Sequence, residues 1–383
     1  MLCQGKAGMG KTAIFIFTII NRILKEEIKG DISCLVLCHT RELAYQISKE
    51  FLRFCKGFTE EINKNMKTCL LIGGDNEKEQ IKTLKTNPKI IIGTPGRILA
   101  LTKRNHLNLN NIQVFVIDEC DKMLNALGKF KFLINIIIYI LDMRADVQKI
   151  FKKTPCDKQV MMFSATLPED TKVVCKKFMR KPVEIIVKEE NKEHLEKLQQ
   201  FIVKLKEEEK NKKLFDILDN VLFNQVIIFV NSILRCEALS DMLCKNNFPS
   251  IAIHADLPQE ERIKLFDLFK DFKRRIMVAT ELYGRGVDFL KVNTVINYDM
   301  SANADAYVHR VGRAGRFGSK GITITFLASK EDEDVFKELT QKYPNIKAEE
   351  LPSTIDKSIY SMSIFLTFNF FYFRLNNQFL FII

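Results

Sequence analysis

The sequence lacks cysteines at paired spacings, a secretory signal and any segment that we expect to anchor it in a membrane. Its ten cysteines are scattered. Cys34, Val36 and Cys38 share one face of a predicted strand, which favours buried free thiols over a metal cluster with His39. Met1 is followed at once by a short apolar stretch and a glycine-rich loop, with no signal peptide. We therefore expect a reducing compartment and no structural zinc.

The chain also has fewer acidic than basic residues. Its 59 lysines and arginines and 47 aspartates and glutamates give a formal net charge of +12 and an isoelectric point near 9.1. This balance favours a polyanionic partner, most simply nucleic acid, although many basic proteins bind none. A length of 383 residues with 46% hydrophobic and 28% charged residues is typical of a globular chain with room for two domains.

A phosphate-binding loop is predicted at the beginning of the chain. Residues 5–12 fit the pattern G-x-x-x-x-G-K-S/T, in which the glycines let backbone N–H groups converge on phosphate oxygens. Lys11 would reach the β- and γ-phosphates, and the Thr12 hydroxyl would coordinate Mg²⁺. Residues 13–24 are apolar and helical in character, so the helix amino terminus would face the phosphates and favour their negative charge.

Two carboxylates follow a buried strand further along the chain. Residues 114–117 are β-branched or aromatic and predict a strand, and Asp118 and Glu119 come directly after it. From these residues alone, a strand-end turn with solvated acids is as good an interpretation as a metal site. The phosphate loop favours nucleoside triphosphate hydrolysis, with one carboxylate holding Mg²⁺ and its neighbour orienting the attacking water.

Strand-like and helical segments alternate twice along the chain, which predicts an α/β fold of two parallel sheets with helices on both faces. The first set has strands at 34–38, 68–72, 89–92, 114–117 and 160–163, with helices that include 42–56 and 76–84. The second set has strands at 225–230, 250–254, 275–279, 294–298 and 321–327. We predict a first domain over 1–187, a linker over 188–197, a second domain over 198–360 and a Phe-rich tail over 361–383.

The second set has no phosphate loop but places arginines among glycines. Residues 309–316 contain His309, Arg313 and Arg316 around Gly312 and Gly315. A solvated helix face is the alternative, but each glycine inside a helix costs about 1 kcal/mol relative to Ala. Arginines spaced by glycine suit close approach to an anion, and an arginine presented to a γ-phosphate can raise the rate by about 10³–10⁵.

Together these motifs resemble the DEAD-box ATP-dependent RNA helicases of superfamily 2. The acidic box reads Asp118-Glu119-Cys120-Asp121 and is most similar to the DECD branch used in pre-mRNA splicing and nuclear mRNA export. The resemblance runs from about residue 2 to 360, apart from one internal stretch. It implies two tandem RecA-like domains, ATP and Mg²⁺ as cofactors, RNA as the substrate and a nuclear location. By resemblance alone, export adaptors and splicing proteins are the implied partners.

The resemblance also implies roles for individual residues in the nucleotide site. The residues implied to contact nucleotide are Gly5, Ala7, Gly8, Met9, Gly10, Lys11, Thr12 and Asp288. Thr12 and Asp118 match the Mg²⁺ site, and Glu119 matches the residue that activates water. Arg313 and Arg316 match arginines that sense the γ-phosphate, and His309 links their motif to the acidic box across the cleft.

The remaining motif matches imply contacts with RNA. These residues are Thr40, Arg41, Gly73, Gly74, Thr94, Pro95, Gly96, Arg97, Arg262 and Thr280. Ser164, Ala165 and Thr166 match the motif that couples hydrolysis to RNA binding. Hydroxyls, backbone N–H groups and guanidinium groups grip phosphates without reading bases, so we expect sequence-independent, salt-sensitive binding of single strands or short duplexes. For 94–97 in isolation, an ordinary surface turn is the alternative.

Three features depart from the family pattern. The chain begins almost at the phosphate loop, without the family's upstream aromatic residue and glutamine that recognise adenine. Residues 128–140 interrupt a stretch that the family runs continuously, and residues 361–383 contain seven Phe and no acid. We interpret both segments as retained intron sequence or a gene-model error. A family-specific insertion and a membrane tail are the alternatives, and Arg374 near a bilayer centre would cost about 2.5–3.5 kcal/mol.

The sequence leaves three functional hypotheses. The first is an RNA-dependent ATPase of the DECD type. The second is an ATPase-deficient RNA clamp or scaffold, because the adenine-recognition segment is missing. The third is another phosphate-loop enzyme, such as a small-molecule kinase, which the arginine and glycine motifs of the second domain argue against.

Overall fold

The computed structural model describes residues 1–5, 9–59, 66–124, 134–187, 198–280, 289, 291–315, 320–344, 346–352 and 355. Within these ranges, strands and helices alternate along the chain and build two parallel sheets. The linker 188–197, the tail 361–383 and residues 128–133 of the predicted insertion lie outside the described residues. The domain boundaries therefore stay a prediction.

The first sheet is assembled from short strands that are mostly buried throughout their length. Its strands are β1 (Leu2–Gln4), β2 (Cys34–Cys38), β3 (Thr68–Leu71), β4 (Ile90–Gly93), β5 (Val114–Asp118), β6 (Gln159–Ser164) and β7 (Glu184–Ile186). The helices that accompany them are α1 (Lys11–Leu24), α2 (Arg41–Cys55), α3 (Glu77–Leu84), α4 (Pro95–Lys103), α5 (Cys120–Leu124), α6 (Ile134–Lys152) and α7 (Glu169–Lys177).

The second sheet follows the same alternation. Its strands are β8 (Leu198–Lys204), β9 (Gln225–Phe229), β10 (Ser250–Ile253), β11 (Ile276–Ala279), β12 (Val292–Asn297), β13 (Gly321–Leu327) and β14 (Ala348–Glu350). A 3₁₀ turn at Glu207–Glu209 leads into α8 (Lys210–Asn220), and the other helices are α9 (Ile233–Lys245), α10 (Gln259–Lys270), α11 (Ala304–Val311) and α12 (Lys330–Lys342).

The two sheets have the same topology. The strand order is β3-β4-β2-β5-β6-β1-β7 in the first and β10-β11-β9-β12-β13-β8-β14 in the second, so each strand has a counterpart seven strands later. The paired strands run parallel, for example Cys34–Cys38 against Val114–Asp118. In each sheet the carboxyl ends of the strands therefore lie along one edge, which is where open α/β sheets bind ligands.

Each sheet separates two apolar clusters, because both of its faces are covered. Leu35 and Leu37 of β2 point into one cluster, while Cys34, Val36 and Cys38 point into the other. This two-sided burial explains why the strands read as continuous apolar runs and not as alternating ones. It also confirms the prediction that Cys34 and Cys38 are buried free thiols.

The predicted elements agree with the structure to within one or two residues at their ends. The helix predicted for 13–24 begins earlier, at Lys11, because Gly10 adopts the left-handed backbone that starts it. Predicted strand 294–298 is shifted and runs Val292–Asn297. The backbone of 134–140, predicted as part of an interruption, is helical and continuous with the rest of α6.

The described ranges contain neither a membrane-spanning helix nor a metal cluster. No helix there is both long and apolar enough to cross a bilayer. The same ranges contain no group of three or more His, Cys, Asp or Glu side chains arranged to hold a metal ion.

Gly93 at the end of β4 has no room for a side chain. A Cβ built there would overlap the carbonyl oxygen of Leu71, its partner on β3. We expect Gly93→Ala to lower the free energy of unfolding by about 1–3 kcal/mol, because backbone must shift to accept the methyl group. Calorimetric unfolding would measure the loss.

Gly57→Ala is a matched control, since a Cβ at Gly57 meets nothing within 4 Å. Equal thermal stabilities of the two variants would contradict the packing at the β3–β4 pair.

Candidate functional site

The phosphate loop lies at the carboxyl end of β1, where it leads into α1. Gly10 precedes the helix with a φ of 76°, a backbone conformation that glycine adopts without steric cost. Lys11 is the first residue of α1, and its Nζ donates to the carbonyl oxygen of Gly5 at 2.5 Å. Thr12 follows in the first turn, and Met9 is half exposed. Ala7 and Gly8 of the predicted loop lie outside the described residues.

The two predicted carboxylates occupy the carboxyl end of β5, in the middle of the first sheet. Asp118 is 4% exposed, and its Oδ1 accepts a hydrogen bond from the Glu119 backbone N–H at 3.0 Å. Glu119 has a φ of 54°, a left-handed conformation that is costly for a residue with a side chain and that concentrates at functional sites. His39, after β2, places Nδ1 3.5 Å from Glu119 Oε2.

The electrostatics of Asp118 indicate a site that needs a cation. Burial, followed by the nearby charge of Glu119, raises the pKa of Asp118 to about 7, while the Lys11 ammonium acts in the opposite direction. A buried carboxylate is stabilised by a positive partner. Asp118 and the Thr12 hydroxyl would supply oxygen donors of the kind Mg²⁺ uses when phosphates and water complete its coordination.

Asp121 joins the acidic box to the predicted coupling motif. Its Oδ1 accepts from Ser164 Oγ and its Oδ2 from Thr166 Oγ1, each at 2.7 Å. Although burial opposes ionisation, the Lys122 ammonium and these hydroxyls lower the pKa of Asp121. Ala165 lies half-buried between the two donors. An ionised Asp121 therefore joins the end of β6 to α5 through two hydrogen bonds.

Thr40, Arg41 and the glycine pair 73–74 meet at the carboxyl ends of β2 and β3. Thr40 begins α2, its Oγ1 accepting from the Leu43 N–H at 3.2 Å. The Arg41 guanidinium lies over Gly73 and Gly74, so that a Cβ at Gly74 would be 2.8 Å from Arg41 Nη1. Gly74 also has a φ of 87°. Both constraints explain why glycine occupies this position.

Residues 94–97 form the start of a helix and not an ordinary surface turn, which was the alternative interpretation. Thr94 precedes α4 and Pro95 is its first residue, a position where proline loses no hydrogen bond. Arg97 Nη1 donates to Glu77 Oε2 at 2.5 Å and its Nη2 to the Asp75 carbonyl oxygen at 3.4 Å. The guanidinium is thereby held at the same sheet edge, next to the exposed Gly96.

Side chains of α2 contact α10 of the second domain. Arg262, predicted as an RNA contact, forms a buried ion pair with Glu42 and donates from Nη1 to the Ala255 carbonyl oxygen at 3.2 Å. Arg41 Nη1 donates to Gln259 Oε1 at 3.3 Å.

Two further pairs extend this contact along both helices. Tyr45 donates its hydroxyl to Asp267 Oδ2 at 2.7 Å, and Lys270 Nζ lies 3.8 Å from Glu50 Oε1. We call these four residue pairs the α2–α10 seam. The seam brings α10 of the second domain against α2, which follows the segment predicted to contact RNA.

The glycine and arginine motif of the second domain follows the end of α11. His309 is in the helix, Gly312 caps it, and Arg313 Nε donates to the His309 carbonyl oxygen at 3.2 Å. Arg313 is 5% exposed. Thr280 follows β11, its N–H donating to the Ile253 carbonyl oxygen at 3.4 Å.

Two other site residues predicted in the second domain, Arg316 and Asp288, lie outside the described residues. The meeting of Arg313 with the acidic box stays a prediction, as do the individual RNA contacts.

Comparison with known proteins identifies the family. The family model described as DEAD/DEAH box helicase matches residues 1–174, and the helicase conserved C-terminal domain matches residues 209–318. ATP-dependent RNA helicase sub2 of Aspergillus fumigatus is 48% identical over 363 residues, which are 94% of this chain and 78% of the relative. The chain belongs to the DEAD/DEAH box helicase family.

Two further proteins are similar to this chain over nearly its whole length. ATP-dependent RNA helicase DDX39A of Homo sapiens is 49% identical over 361 residues, or 94% of this chain and 79% of the relative. Dbp5 of S. cerevisiae, solved with RNA and ADP BeF3, has a TM-score of 0.76 at 27% identity, covering 92% of this chain and 85% of that chain. The match confirms two tandem RecA-like domains.

Sequence reasoning missed several residues that organise this helicase site. Asp121 was predicted only as the last residue of the acidic box. In the structure it accepts hydrogen bonds from both hydroxyls of the coupling motif. Tyr45 and Asp267 had no predicted role. Glu42 lies in the segment after Thr40 that was predicted to contact RNA, but its ion pair with Arg262 was not predicted. The only sequence signal for these contacts is that Glu42 and Tyr45 are three residues apart on one helix face, a spacing that equally fits a solvated helix.

We expect Arg262→Met to separate the two domains. Removing one partner of a buried ion pair leaves Glu42 with an uncompensated charge, at a cost of about 3–5 kcal/mol that domain opening would relieve. Dyes on Cys156 and Cys244, the exposed cysteines of the first and second domains, would report the separation as reduced energy transfer.

The double variant Glu42→Gln/Arg262→Met should open less than Arg262→Met, because it leaves no buried charge. Arg53→Met, which removes an exposed guanidinium of α2, the helix that carries Glu42, is the control. Unchanged energy transfer in Arg262→Met would show that the seam does not hold the domains.

Proposed function

We propose that this protein is an ATP-dependent RNA helicase that remodels RNA and ribonucleoprotein in pre-mRNA splicing and nuclear mRNA export. One observation carries the enzymatic part. The carboxyl edge of the first sheet brings Lys11 of the phosphate loop to a buried Asp118, while Asp121 in the same acidic box holds Ser164 and Thr166. The acidic box, which spans the end of β5 and the start of α5, therefore approaches the phosphate loop through Asp118 and contacts the predicted coupling motif through Asp121.

The nucleotide chemistry follows from the charges at this edge. Lys11 would neutralise the β- and γ-phosphates, and the amino terminus of α1 would add its dipole. Asp118 and Thr12 would hold Mg²⁺, which supplies charge neutralisation between the phosphates when bound. Glu119, on its strained backbone beside His39, would orient the attacking water and accept its proton.

RNA would bind across the carboxyl edges of both domains. Arg41 and Arg97 are held there by defined partners, and the 73–74 glycines leave backbone N–H groups close to the surface. Such groups contact phosphates and sugars, so binding should be independent of sequence and should weaken as salt rises.

Domain closure would couple ATP hydrolysis to RNA binding. In the closed form Arg313 and Arg316 would approach the γ-phosphate, with His309 linking their motif to the acidic box. The closed form would bind one RNA strand and bend it, which would disrupt a short duplex or displace a bound protein. ATP hydrolysis would then reopen the domains and release the RNA. The α2–α10 seam supports this scheme, since Arg41 contacts both a first-domain glycine pair and Gln259 of the second domain.

The cellular role is inferred from similarity to the DECD branch. Cys120 occupies the third position of the acidic box, and both relatives carry the name ATP-dependent RNA helicase. On this basis we propose a nuclear location and mRNA-export adaptors and splicing proteins as partners. Co-purification with nuclear messenger ribonucleoprotein would test the assignment, and exclusion from the nucleus would refute it.

We expect Glu119→Gln to lower the kcat of RNA-stimulated ATP hydrolysis by about 10²–10⁴, the usual contribution of a positioned base. Binding of ATP should persist, because Lys11 and Asp118 are unchanged. A coupled phosphate-release assay would measure kcat, and equilibrium titration with labelled ATP would measure binding.

Glu26→Gln removes an exposed carboxylate whose φ of 56° also lies in the left-handed region, so it controls for charge and for backbone strain. Full hydrolysis by Glu119→Gln would remove its assigned role. Binding of RNA with no hydrolysis in the wild-type chain would instead support the clamp or scaffold hypothesis.

We expect Asp121→Asn to reduce the stimulation of ATP hydrolysis by RNA more than the basal rate. The neutral amide loses the charge-assisted bonds from Ser164 and Thr166, while Asp118 and Glu119 keep their positions. The ratio of rates with and without oligouridylate is the measured quantity. Asp157→Asn, at a more exposed acid of the same domain, is the control, and an unchanged ratio in Asp121→Asn would contradict the coupling.

A further inference from the structure

Phe272 is an exposed aromatic residue in a backbone conformation that favours glycine. It follows α10 with a φ of 66° and is 36% exposed. Its N–H donates to the Phe269 carbonyl oxygen at 3.1 Å, and the Lys273 N–H donates to the Leu268 carbonyl oxygen at 2.9 Å. These two bonds define a Schellman helix ending, in which the left-handed position is usually Gly. Phe272 therefore has a strained backbone, although its side chain is not fully buried.

Phe272 belongs to a cluster at the amino-terminal edge of the second sheet. Strands β11, β9 and β12 are neighbours in that order, so the residues that precede them lie side by side. We call the cluster the basic–aromatic patch: Leu222, Phe223, Phe272, Lys273, Arg274, Arg275 and Lys291. Lys291 Nζ lies 4.1 Å from the Phe272 ring centroid, which connects residues before β12 and β11 across the end of β9.

The charges of the patch are mostly available to a partner. Arg275 is occupied, since Nε donates to the Asn224 carbonyl oxygen at 2.9 Å and the guanidinium also contacts the Phe223 carbonyl oxygen. Lys273, Arg274 and Lys291 are exposed, and no carboxylate in the described part of the chain forms an ion pair with them. Asp271 is the exposed acid beside them. Leu222, which is 59% exposed, adds an apolar surface.

The arrangement of the rings favours carboxylates over nucleic-acid bases. The Phe272 ring has the Lys291 ammonium over one face, and the Phe223 ring has the Arg275 guanidinium 5.0 Å from its centroid. A base would need a free ring face for stacking. Ring edges carry partial positive charge and, with the cations, attract carboxylates, whereas Leu222 offers contact to an apolar side chain.

We propose that the basic–aromatic patch binds an acidic peptide segment of a partner protein, one in which carboxylates alternate with large apolar side chains. The patch lies at the amino ends of the strands, on the edge of the sheet opposite the proposed RNA contacts. An acidic segment can therefore bind while nucleotide and RNA occupy the carboxyl edge. Binding at the patch stands on contacts outside that edge, and only its coexistence with RNA rests on the proposed function.

The test uses the full chain and a fluorescent synthetic peptide in which glutamates alternate with leucine and phenylalanine. Its binding is followed by anisotropy in the presence of saturating oligouridylate. We expect Arg274→Glu/Lys291→Glu to weaken binding by about tenfold or more, because central basic and aromatic contacts dominate interface energies. Lys212→Glu/Lys330→Glu makes the same charge change at two other exposed lysines of the second domain and should bind normally.

Phe272→Gly separates a binding role from a structural one. Glycine should relieve the strain at the helix ending and raise the melting temperature by about 2–4 °C, while peptide affinity falls. A lower melting temperature would mean that the ring stabilises the fold through Lys291, and the proposal would then be wrong.

Three other results would also overturn the proposal. One is a peptide affinity that is equal in the patch and control variants. Another is displacement of the peptide by oligouridylate, which would assign the patch to RNA. The third is an equal affinity for polyglutamate, which would reduce the interaction to charge alone.

Discussion

Parallel strands impose the constraint on which the rest of this molecule depends. Because each sheet is parallel, the residues that follow its strands gather at one edge, although they are far apart in the sequence. Asp118 at the end of β5, Ser164 at the end of β6 and the phosphate loop after β1 meet for this reason. Burial of Asp118 at that edge then creates a carboxylate that requires a cation, which links the fold to the chemistry proposed for it.

The second domain repeats this topology without repeating the nucleotide site. Its sheet has the same strand order, but Thr280 follows β11 at the carboxyl edge, and the glycine and arginine motif follows α11, where Arg313 Nε donates to the His309 carbonyl oxygen. The α2–α10 seam joins the two edges through Glu42 and Arg262, both of which are buried. A buried ion pair contributes little net stability, because desolvation offsets the attraction. Its value here is geometric, since it fixes the relative positions of the two domains.

Short-range chemistry explains why so much of the site could be predicted from the sequence. The phosphate loop and the acidic box depend on consecutive residues, and the strands 34–38 and 321–327 were predicted with their observed bounds. Strands β1 and β7 were missed because three residues give no periodicity. Pairing orders them, since β1 lies between β6 and β7 and β7 pairs with β1. The contacts of Asp121 with Ser164 and of Glu42 with Arg262 were missed because these partners lie 43 and 220 positions away.

The sequence by itself determined the class of fold, the nucleotide-binding chemistry and the family, because each rests on local patterns of apolar, glycine and charged residues. Only the tertiary structure decided which charges are buried, which helices join the two domains and which aromatic side chain stays exposed under strain. Other strands and helices bury Asp118, which raises its pKa. They also bring Glu42 to Arg262 and Lys291 to Phe272. Such contacts depend on packing between elements, which no local pattern encodes.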